Sequence, residues 1–550
     1  MNVYKYQNKK NWKLIQLIAV VVLLQTACTK NFDEYNTNPD GITRDLLNKD
    51  NVGIGAFFPQ MEENVIIAAA GTGDASVYQV AENLNADLFS GYMATSTPFG
   101  GGQNNSQYKI NDGWSGAAFN NPYNKIMSAW LQIQKSAETT KPDLYALANI
   151  IKIAGMHRVT DIFGPIPYSK YGSGGFAVDY DAQEAIYNSF FSQLDASIAI
   201  LTDYVKQNPG ATPAIKFDLV YKGNYMQWIK FANALKLRLA MRIVYANPSL
   251  AQKKAEEAVN NSYGVLTTNG DNAFLSSGNG FTLVNPLWVI NAPGYADIRA
   301  GAVLQSLLSG YNDPRLAVYF QPSTSFPGQY LGIRNGIAIA NKDDRIGFSQ
   351  LNVGQNQPLQ WMTAAEVYFL RAEGAIRGWN MGGAAQSLYE TGIQTSFSQL
   401  GVVGYASYIA DATSTAAPYT DPVNSANNVQ KGDPILSTVT IKWNQADNFE
   451  KMLERIITQK YLAMYPNAQE AWTEFRRTGY PKVWPVVVNY SGGSIDTKAQ
   501  IRRLPYIQSE YSNNATAIQK AVSLLSNEAY GSSKADNGGT RLWWDKNPLH

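Results

Sequence analysis

Histidine, the side chain most often used for acid–base catalysis, occurs only twice in this 550-residue chain. A Ser–His–Asp hydrolase would be expected to use His157, since His550 is the final residue. Asp161 lies four residues after His157 on a predicted helix, so the two side chains can pair. We interpret them as a local hydrogen-bonded pair rather than as catalytic groups. The counts of histidine and cysteine also exclude a His/Cys zinc site.

Two groups of acidic residues have the helical spacing that could bring carboxylates together. Glu366 and Glu373 lie seven residues apart on one helix face, and Glu470 and Glu474 lie four apart. Glycosidases do use paired carboxylates. Arginines, however, lie close to both groups: Arg371, Arg377, Arg476 and Arg477. We therefore predict surface charge networks and no enzyme. A polysaccharide-acting enzyme whose carboxylates come from distant segments stays an alternative.

Other motifs that carry chemistry are not found in a supporting context. The sequence has no G-x-S-x-G, phosphate-binding loop or dinucleotide fingerprint in such a context. The segment DGWSGAAFNN, residues 112–121, could hold Ca²⁺ through oxygen ligands, but its spacing matches no EF-hand loop. We predict no cofactor and no metal site, and leave Ca²⁺ open.

The only cysteine, Cys28, follows a short apolar segment near the N-terminus. Four lysines without an acidic residue precede the run LIQLIAVVVLL, residues 14–24, and Thr26 and Ala27 are small. This order is typical of a secretory signal, and the run is shorter than the roughly 20 residues that a membrane-spanning helix needs. A single cysteine cannot form an internal disulfide. We therefore predict that residues 1–27 are a lipoprotein signal peptide and that Cys28 carries a diacylglycerol anchor, although Gln25 stands where such signals usually have leucine.

The remaining chain is predicted to be one domain behind a flexible tether. Residues 28–45 are polar and rich in turn formers, which suits a tether, and residues 46–550 follow as the domain. The whole chain has a formal charge of +2, and loss of the four lysines of the signal leaves −2. So small a charge does not support nucleic-acid binding. No membrane-spanning helix is predicted in the mature chain.

Aromatic residues make up 12% of the chain, and the 33 tyrosines outnumber the 21 phenylalanines. A sugar-binding platform needs an exposed ring, because the C–H face of the sugar stacks on it while polar neighbours meet the hydroxyl groups. The loop-rich segments 85–114 and 274–295 combine aromatic residues with Gly, Asn, Ser and Gln. The ligand-binding residues predicted there are Tyr92, Phe99, Tyr108, Trp114, Phe281, Trp288 and Tyr295. Trp472, Trp543 and Trp544 are instead expected to pack in the core.

Apolar residues recur at helical spacing in four separate parts of the chain. In residues 363–401, for example, Ala365, Phe369, Ala372 and Ile376 share one helix face, and Gly401 ends the second helix. Pairs of about 35 to 40 residues resemble tetratricopeptide units. The four predicted pairs lie near residues 143–201, 225–261, 363–401 and 449–481. Because their spacing is irregular, we predict a mainly α fold with long loop-rich insertions rather than a continuous solenoid.

Eight segments spread over nearly the whole mature chain carry a family resemblance. They are FDEYNTNPDG, TDIFGPIPYSKY, DLVYKGNYMQWIKFANALKLRLAMRI, NDPRLAVYF, MTAAEVYFLRAEGA, ITQKYLAMYPNAQEAWTEFRRTGYP, RLPYIQSEYSNN and TRLWWDKNP. In this order they resemble the SusD/RagB outer-membrane lipoproteins of Bacteroidetes, especially the starch-binding-associated SusD-like subgroup.

The resemblance implies a helical half built on tetratricopeptide-like pairs and an irregular half whose loops meet the ligand. It also implies a lipid-anchored, surface-exposed outer-membrane protein that works with a SusC-like TonB-dependent transporter. Members of the family bind glycans or, in some cases, peptides. We therefore expect a nutrient-binding lipoprotein that captures oligosaccharide and delivers it to the transporter. The alternatives are a peptide-binding member, a polysaccharide-acting enzyme and an envelope scaffold.

Overall fold

Helices dominate the computed structural model of the chain, which confirms the predicted fold class. The structure describes Trp12 and residues 51–69, 71, 73–175, 177–291, 294–528 and 536–548. The contacts divide the chain into two units, Met1–Gly53 and Ile54–His550. Cys28 and almost all of the predicted signal and tether lie outside the described residues. Within the described part, no helix is long and apolar enough to cross a membrane.

The four predicted helix pairs are present. Their bounds are Pro142–Phe163 with Gln183–Gln207, Tyr225–Arg242 with Pro248–Val259, Ala364–Ile376 with Ala385–Leu400, and Phe449–Met464 with Ala468–Thr478. Capping residues set several of the ends: the Asn448 side chain accepts from the Lys451 amide, and Gly401 adopts a left-handed conformation after Leu400. Small residues let the partners pack closely. A Cβ at Gly392 would lie 2.9 Å from the ring of Phe369 on the neighbouring helix.

Shorter helices and two small sheets fill the remainder of the described chain. The other α-helices are Val52–Gly55, Phe57–Glu62, Ser76–Tyr78, Asp112–Pro122, Ser128–Ala137, Pro286–Asn291, Ala302–Gly310, Leu316–Tyr319, Tyr405–Ala410, Gln508–Asn513 and Ala515–Glu528. Two π-helical segments are Gln79–Asp87 and Tyr123–Met127, and the 3₁₀ turns are Phe99–Gly102, Asn105–Gln107, Asn269–Asp271, Lys342–Asp344 and Ser425–Asn427. Strand Met93–Thr95 pairs antiparallel with Ile298–Ala300, and Ala273–Leu275 pairs antiparallel with Leu359–Met362.

A buried network of charged side chains joins helices of different pairs. The closest N–O distances are 2.7 Å for Arg238–Glu366, 2.6 Å for Arg242–Glu470, 3.3 Å for Arg242–Asp161, 2.6 Å for Arg477–Glu373 and 3.4 Å for Lys460–Glu474. The prediction that these glutamates form surface networks is therefore wrong. All four are at most 4% exposed, because neighbouring helices cover the faces on which they lie. Burial alone would raise the pKa of Glu373, but Arg477 and Arg377 lower it to about 2.

His157 belongs to this buried region, and the predicted pair with Asp161 does not form. The ring of His157 is 3% exposed, and its Nδ1–H donates to the Ile153 carbonyl at 2.9 Å. Asp161 instead accepts from the Tyr187 hydroxyl at 2.6 Å and from the Trp544 indole at 2.9 Å. The helix places the two side chains four residues apart, but tertiary neighbours provide better partners for each of them.

The tryptophans that were expected in the core are there. Trp472 is 1% exposed, Trp543 is 5% exposed and Trp544 is fully buried. The guanidinium of Arg476 lies 3.6 Å from the centre of the Trp472 ring and also faces Trp544. These rings therefore stabilise the C-terminal helix pair.

Candidate functional site

The two loop-rich segments predicted to carry the ligand are held side by side. Strand Met93–Thr95 belongs to the first segment and pairs with Ile298–Ala300, which directly follows the second. Thr95, the last residue of one strand, is opposite Ile298, the first residue of the other. The loop after Thr95 and the loop before Ile298 therefore lie at the same end of the sheet. The sheet thus brings Phe99 and Tyr295 into neighbouring loops, although they are far apart in the sequence.

Asp297 fastens the two loops to each other. Its carboxylate accepts from the Thr97 hydroxyl at 2.5 Å, from the Gln79 amide at 2.9 Å and from the Lys342 ammonium at 2.9 Å. Lys342 also donates to the Tyr295 carbonyl. Because these bonds come from three different segments, the conformation of the turn at Tyr295 depends on its neighbours and not on local sequence alone.

Phe99 in the first loop and Trp114 at the start of helix Asp112–Pro122 form an aromatic pair next to an open stretch of backbone. The rings of Phe99 and Trp114 meet edge to face, with centroids 6.0 Å apart, and both side chains are half-buried. Three glycines follow Phe99, all with positive φ, and a Cβ at Gly100 or Gly101 would meet no atom within 4 Å. Asn104 holds the loop in place through its amide, which donates to the Phe99 carbonyl at 2.9 Å.

A third loop, which the sequence analysis missed, adjoins the first. The Tyr490 amide donates to the Gln107 carbonyl at 2.8 Å. Tyr490 is 40% exposed and Val487, nearby in the same loop, is 44% exposed. The stretch NYSGGS has the same mixture of Tyr, Asn, Ser and Gly as the segments that were selected, so composition could have found it. We call Phe99, Trp114, Tyr295, Val487 and Tyr490 the loop surface.

Two of the predicted ligand-binding residues are buried, which corrects the prediction for them. Tyr92 is fully buried, and its hydroxyl donates to the Tyr461 carbonyl. Tyr108 is 4% exposed and has a positive φ of 62°. Neither ring can stack on a sugar, because other side chains already cover both. Loop composition did not distinguish them from Phe99, since burial depends on segments that are distant in sequence.

Phe281 and Trp288 are half-buried and stay predictions. Phe281 lies in a small hairpin with Gly278, and Asn279 of this hairpin donates to the Ile215 carbonyl at 3.0 Å. Trp288 lies on helix Pro286–Asn291, before the turn at Tyr295. Among the described residues, no hydrogen bond or ring contact joins either side chain to the loop surface. Tyr295, at 37% exposed, has the most accessible ring of the predicted set.

The segment considered for Ca²⁺ forms part of helix Asp112–Pro122 rather than a ligand loop. The Asp112 carboxylate accepts from the Gln508 amide at 2.9 Å. Within the described residues, no group of three or more His, Cys, Asp or Glu side chains could hold a metal ion. The loop surface presents aromatic rings beside the open backbone of residues 100–102.

Residues 34–545 match the SusD-like family, described as SusD and RagB outer membrane lipoproteins. This match covers nearly the whole chain. The chain belongs to the SusD/RagB family. As a family member it is an outer-membrane lipoprotein, which confirms both the resemblance and the predicted localisation.

Solved structures of other SusD/RagB proteins have the same fold as this family member. A chitin-binding SusD homologue from Flavobacterium johnsoniae is 45% identical with a TM-score of 0.85, and the match covers 90% of this chain and 99% of that one. A SusD homologue from Bacteroides uniformis is 39% identical with a TM-score of 0.80 and the same coverage. A SusD-like protein from Bacteroides thetaiotaomicron is 34% identical with a TM-score of 0.82, again with this coverage. Among curated proteins, none is significantly similar to this sequence.

Proposed function

We propose that this SusD/RagB protein binds glycan chains at the cell surface and passes them to a TonB-dependent outer-membrane transporter. The observation that carries the proposal is the 45% identity, over 90% of the chain, to a SusD homologue that binds chitin. Chitin-type chains of N-acetylglucosamine are therefore the first ligand to test. The transporter is the partner implied by the family.

The loop surface supplies the groups that such a ligand needs. Aromatic rings of Phe99, Trp114, Tyr295 and Tyr490 can stack on the apolar faces of successive sugar rings. The glycine stretch 100–102 leaves room for a chain to approach the backbone. Because the side chains of Tyr295 and Tyr490 are exposed, a long polymer can lie across them with both of its ends outside the site.

Binding is a better account of this protein than hydrolysis. His157 is buried, and burial together with Arg238 lowers its pKa to about 3, so it stays neutral and out of reach of substrate. The acidic pairs selected from the sequence, Glu366/Glu373 and Glu470/Glu474, are all engaged by buried arginine or lysine. A glycosidase needs two carboxyl groups that face the substrate.

The test combines binding with product analysis. Detergent-purified protein is applied to insoluble chitin, to a glycan array and to a peptide array, and the supernatants are analysed by mass spectrometry. We expect retention on chitin or another glycan and no cleavage products. Binding to peptides alone would favour the peptide-binding alternative, and sustained turnover would favour the enzyme.

Two controls make the test specific. The variant Trp114→Ala/Tyr295→Ala should lose most of the glycan retention, while Val403→Ser, at a side chain 85% exposed outside the loop surface, should not. Co-purification of a TonB-dependent barrel with the protein tests the partner. If the barrel is absent from gentle detergent extracts and its gene is not adjacent, delivery to a transporter is wrong.

A further inference from the structure

A cleft of about 770 Å³ lies outside the loop surface and is lined by a different set of residues. Its walls come from many separate parts of the chain, among them the segment Gln79–Asp87, the end of helix Ala385–Leu400 and residues 465–468. Sites for small molecules typically enclose roughly 300–1,000 Å³. The cleft is therefore of the right size for a ligand. Phe274 and residues 285–287 of its lining belong to segment 274–295, in which the sequence predicted ligand-binding residues.

One wall of the cleft is a fixed row of carboxamides. Asn272 donates to Gln399 at 3.3 Å, Gln399 donates to Gln360 at 2.9 Å, and Gln360 donates to the Met464 carbonyl at 3.1 Å. Each amide is thereby held in one orientation. The lining contains eight Asn or Gln side chains in all, against three charged ones. Carboxamides both donate and accept hydrogen bonds, so they can recognise hydroxyl and acetamido groups of an uncharged ligand.

The single cation of the lining is paired within the protein. Arg158 pairs with Glu82 at 2.5 Å and donates to the Asn467 side chain at 3.3 Å. Asp87 accepts from Tyr78 at 3.2 Å, and burial raises its pKa to about 7. No lysine lines the cleft. An anionic ligand would therefore find no unpaired cation there, and within the described chain Asp87 is bonded only by the neutral side chains of Tyr78 and Asn83. A neutral ligand is favoured over an anionic one.

The cleft also has flat apolar faces. The ring of Tyr465 is half-buried and packs on Tyr319, with centroids 4.5 Å apart. Among the described residues, nothing hydrogen-bonds its hydroxyl, which remains available for a ligand. Phe274, Leu287 and Leu400 are among the other apolar residues of the lining. Aromatic and aliphatic faces beside oriented amides are the combination that binds sugar rings.

We propose that this cleft is a second saccharide site, which holds a short neutral oligosaccharide or the end of a glycan chain. It would accept about two sugar rings, in keeping with the size of small-molecule pockets. The choice of a saccharide rests on the function proposed above, while the neutrality of the ligand rests on the cleft itself. The loop surface would hold the middle of a long chain and the cleft a free, short one.

The experiment uses diacetylchitobiose, a neutral disaccharide, with isothermal titration and saturation-transfer NMR on the detergent-purified protein. Ser398→Trp and Gln357→Trp place a large ring at the rim of the cleft from different segments, and both positions are exposed. Gln394→Trp is the matched control, since Gln394 is exposed on the same helix as Ser398 but does not line the cleft. Melting temperatures check that all three variants fold.

We expect wild type and Gln394→Trp to bind the disaccharide equally, and both rim variants to lose at least about tenfold in affinity. The variant Trp114→Ala/Tyr295→Ala should keep disaccharide binding while losing retention on insoluble chitin.

If folded rim variants bind the disaccharide like wild type, or wild type does not bind it, the proposal of a second site is wrong, even if the protein is retained on chitin. If the protein is not retained on chitin but the rim variants still abolish disaccharide binding, the cleft is a saccharide site and the proposal that the loop surface binds chitin is wrong. Displacement of the disaccharide by a tripeptide but not by other disaccharides would overturn the saccharide assignment.

Discussion

Single tryptophans in this protein serve two different purposes. Trp472 is buried against Phe89, with ring centroids 5.2 Å apart, and its indole donates to the Ile501 carbonyl at 3.2 Å. Trp114 is half-buried beside Phe99, in the first turn of helix Asp112–Pro122. The same side chain therefore contributes mainly to stability in one place and, as we propose, to binding in the other.

We expect Trp472→Ala to lower the free energy of unfolding by about 3–5 kcal/mol, because it removes core contacts and leaves a cavity. Trp114→Ala should cost about 1 kcal/mol or less, since it loses one edge-to-face contact at a partly exposed site. Trp114→Ala should nevertheless weaken glycan binding several-fold. Melting temperature and titration calorimetry on both variants check this. A folded Trp472→Ala that loses ligand while Trp114→Ala binds normally would place the site elsewhere.

His157 gives the protein an acid-sensitive contribution to stability. Burial and the nearby arginines Arg238 and Arg242 lower its pKa from 6.5 to about 3, although Glu470 acts in the opposite direction. As the pH falls, His157 is therefore protonated in the unfolded chain before it is protonated in the folded chain. The stability that neutral, buried His157 contributes to the folded chain is fully present above pH 6.5 and is lost as the pH falls towards 3.

The variant His157→Gln lacks this titration. As the pH falls from 7.5 to 5, we expect the free energy of unfolding of wild type to decrease relative to that of His157→Gln. The decrease is at most about 1.4 kcal/mol per pH unit. Thermal melts of both proteins across this range measure the difference. A gap that stays constant with pH would show that His157 is protonated to the same extent in the folded and unfolded chain.

At the scale of elements, ion pairs in the core join the helix pairs. Glu373 on helix Ala364–Ile376 is bound by Arg477 on helix Ala468–Thr478 at 2.6 Å and by Arg377 at 2.8 Å. Such pairs fix how helices pack, because a buried charge without its partner is costly. The contrast is the pair Lys170–Asp179, whose side chains are 58% and 44% exposed.

Replacing Glu373 with Gln should therefore destabilise the protein by about 3–5 kcal/mol, since Arg477 and Arg377 lose a shared buried partner. Asp179→Asn is the matched control, and we expect no measurable change in melting temperature, because water screens that pair. Denaturant unfolding of the two variants measures the loss in the free energy of unfolding for each. Equal, small effects would mean that the buried network adjusts to the loss of one member.

Asp297 holds the loops of the loop surface together, as Glu373 holds helices together. Asp297→Ala removes three hydrogen bonds that hold the loops together, each worth about 1 kcal/mol. We expect faster hydrogen exchange at residues 95–99 and 294–298 and a drop in glycan affinity, because the ligand must then order the loops. Asp343→Ala, at an exposed neighbour of Lys342, should change neither. Unaltered exchange in Asp297→Ala would show that the sheet alone orders the loops.

At the scale of the whole molecule, a lipid anchor is the feature that decides where the protein works. The family assignment makes it an outer-membrane lipoprotein, and Cys28 is the one cysteine available for the anchor. We expect Cys28→Ser to leave the membrane fraction and to lose the mass of the lipid, because peripheral contacts alone hold proteins weakly. Fractionation after a high-salt wash, followed by mass spectrometry, tests this. Retention of the unlipidated variant in washed membranes would contradict anchoring through Cys28.

The sequence by itself determined the elements of this protein. Apolar residues at helical spacing placed all four helix pairs, because that period is a local property of each segment. The eight motifs in order were sufficient to indicate the family. The lone cysteine after a short apolar run predicted the anchor. Each of these inferences needs only residues that are close in the chain or an order along it.

Only the tertiary structure decided which side chains are covered. Glu366 and Tyr92 illustrate the limit: local composition predicted both side chains at the surface, and both are buried. Exposure depends on segments more than a hundred residues away, such as the helix of Arg238 that covers Glu366. The cleft is the extreme case, since Asp87, Gln360 and Tyr465 meet there from three distant parts of the chain. No pattern along the sequence records such a meeting, because it arises from the packing of all the elements together.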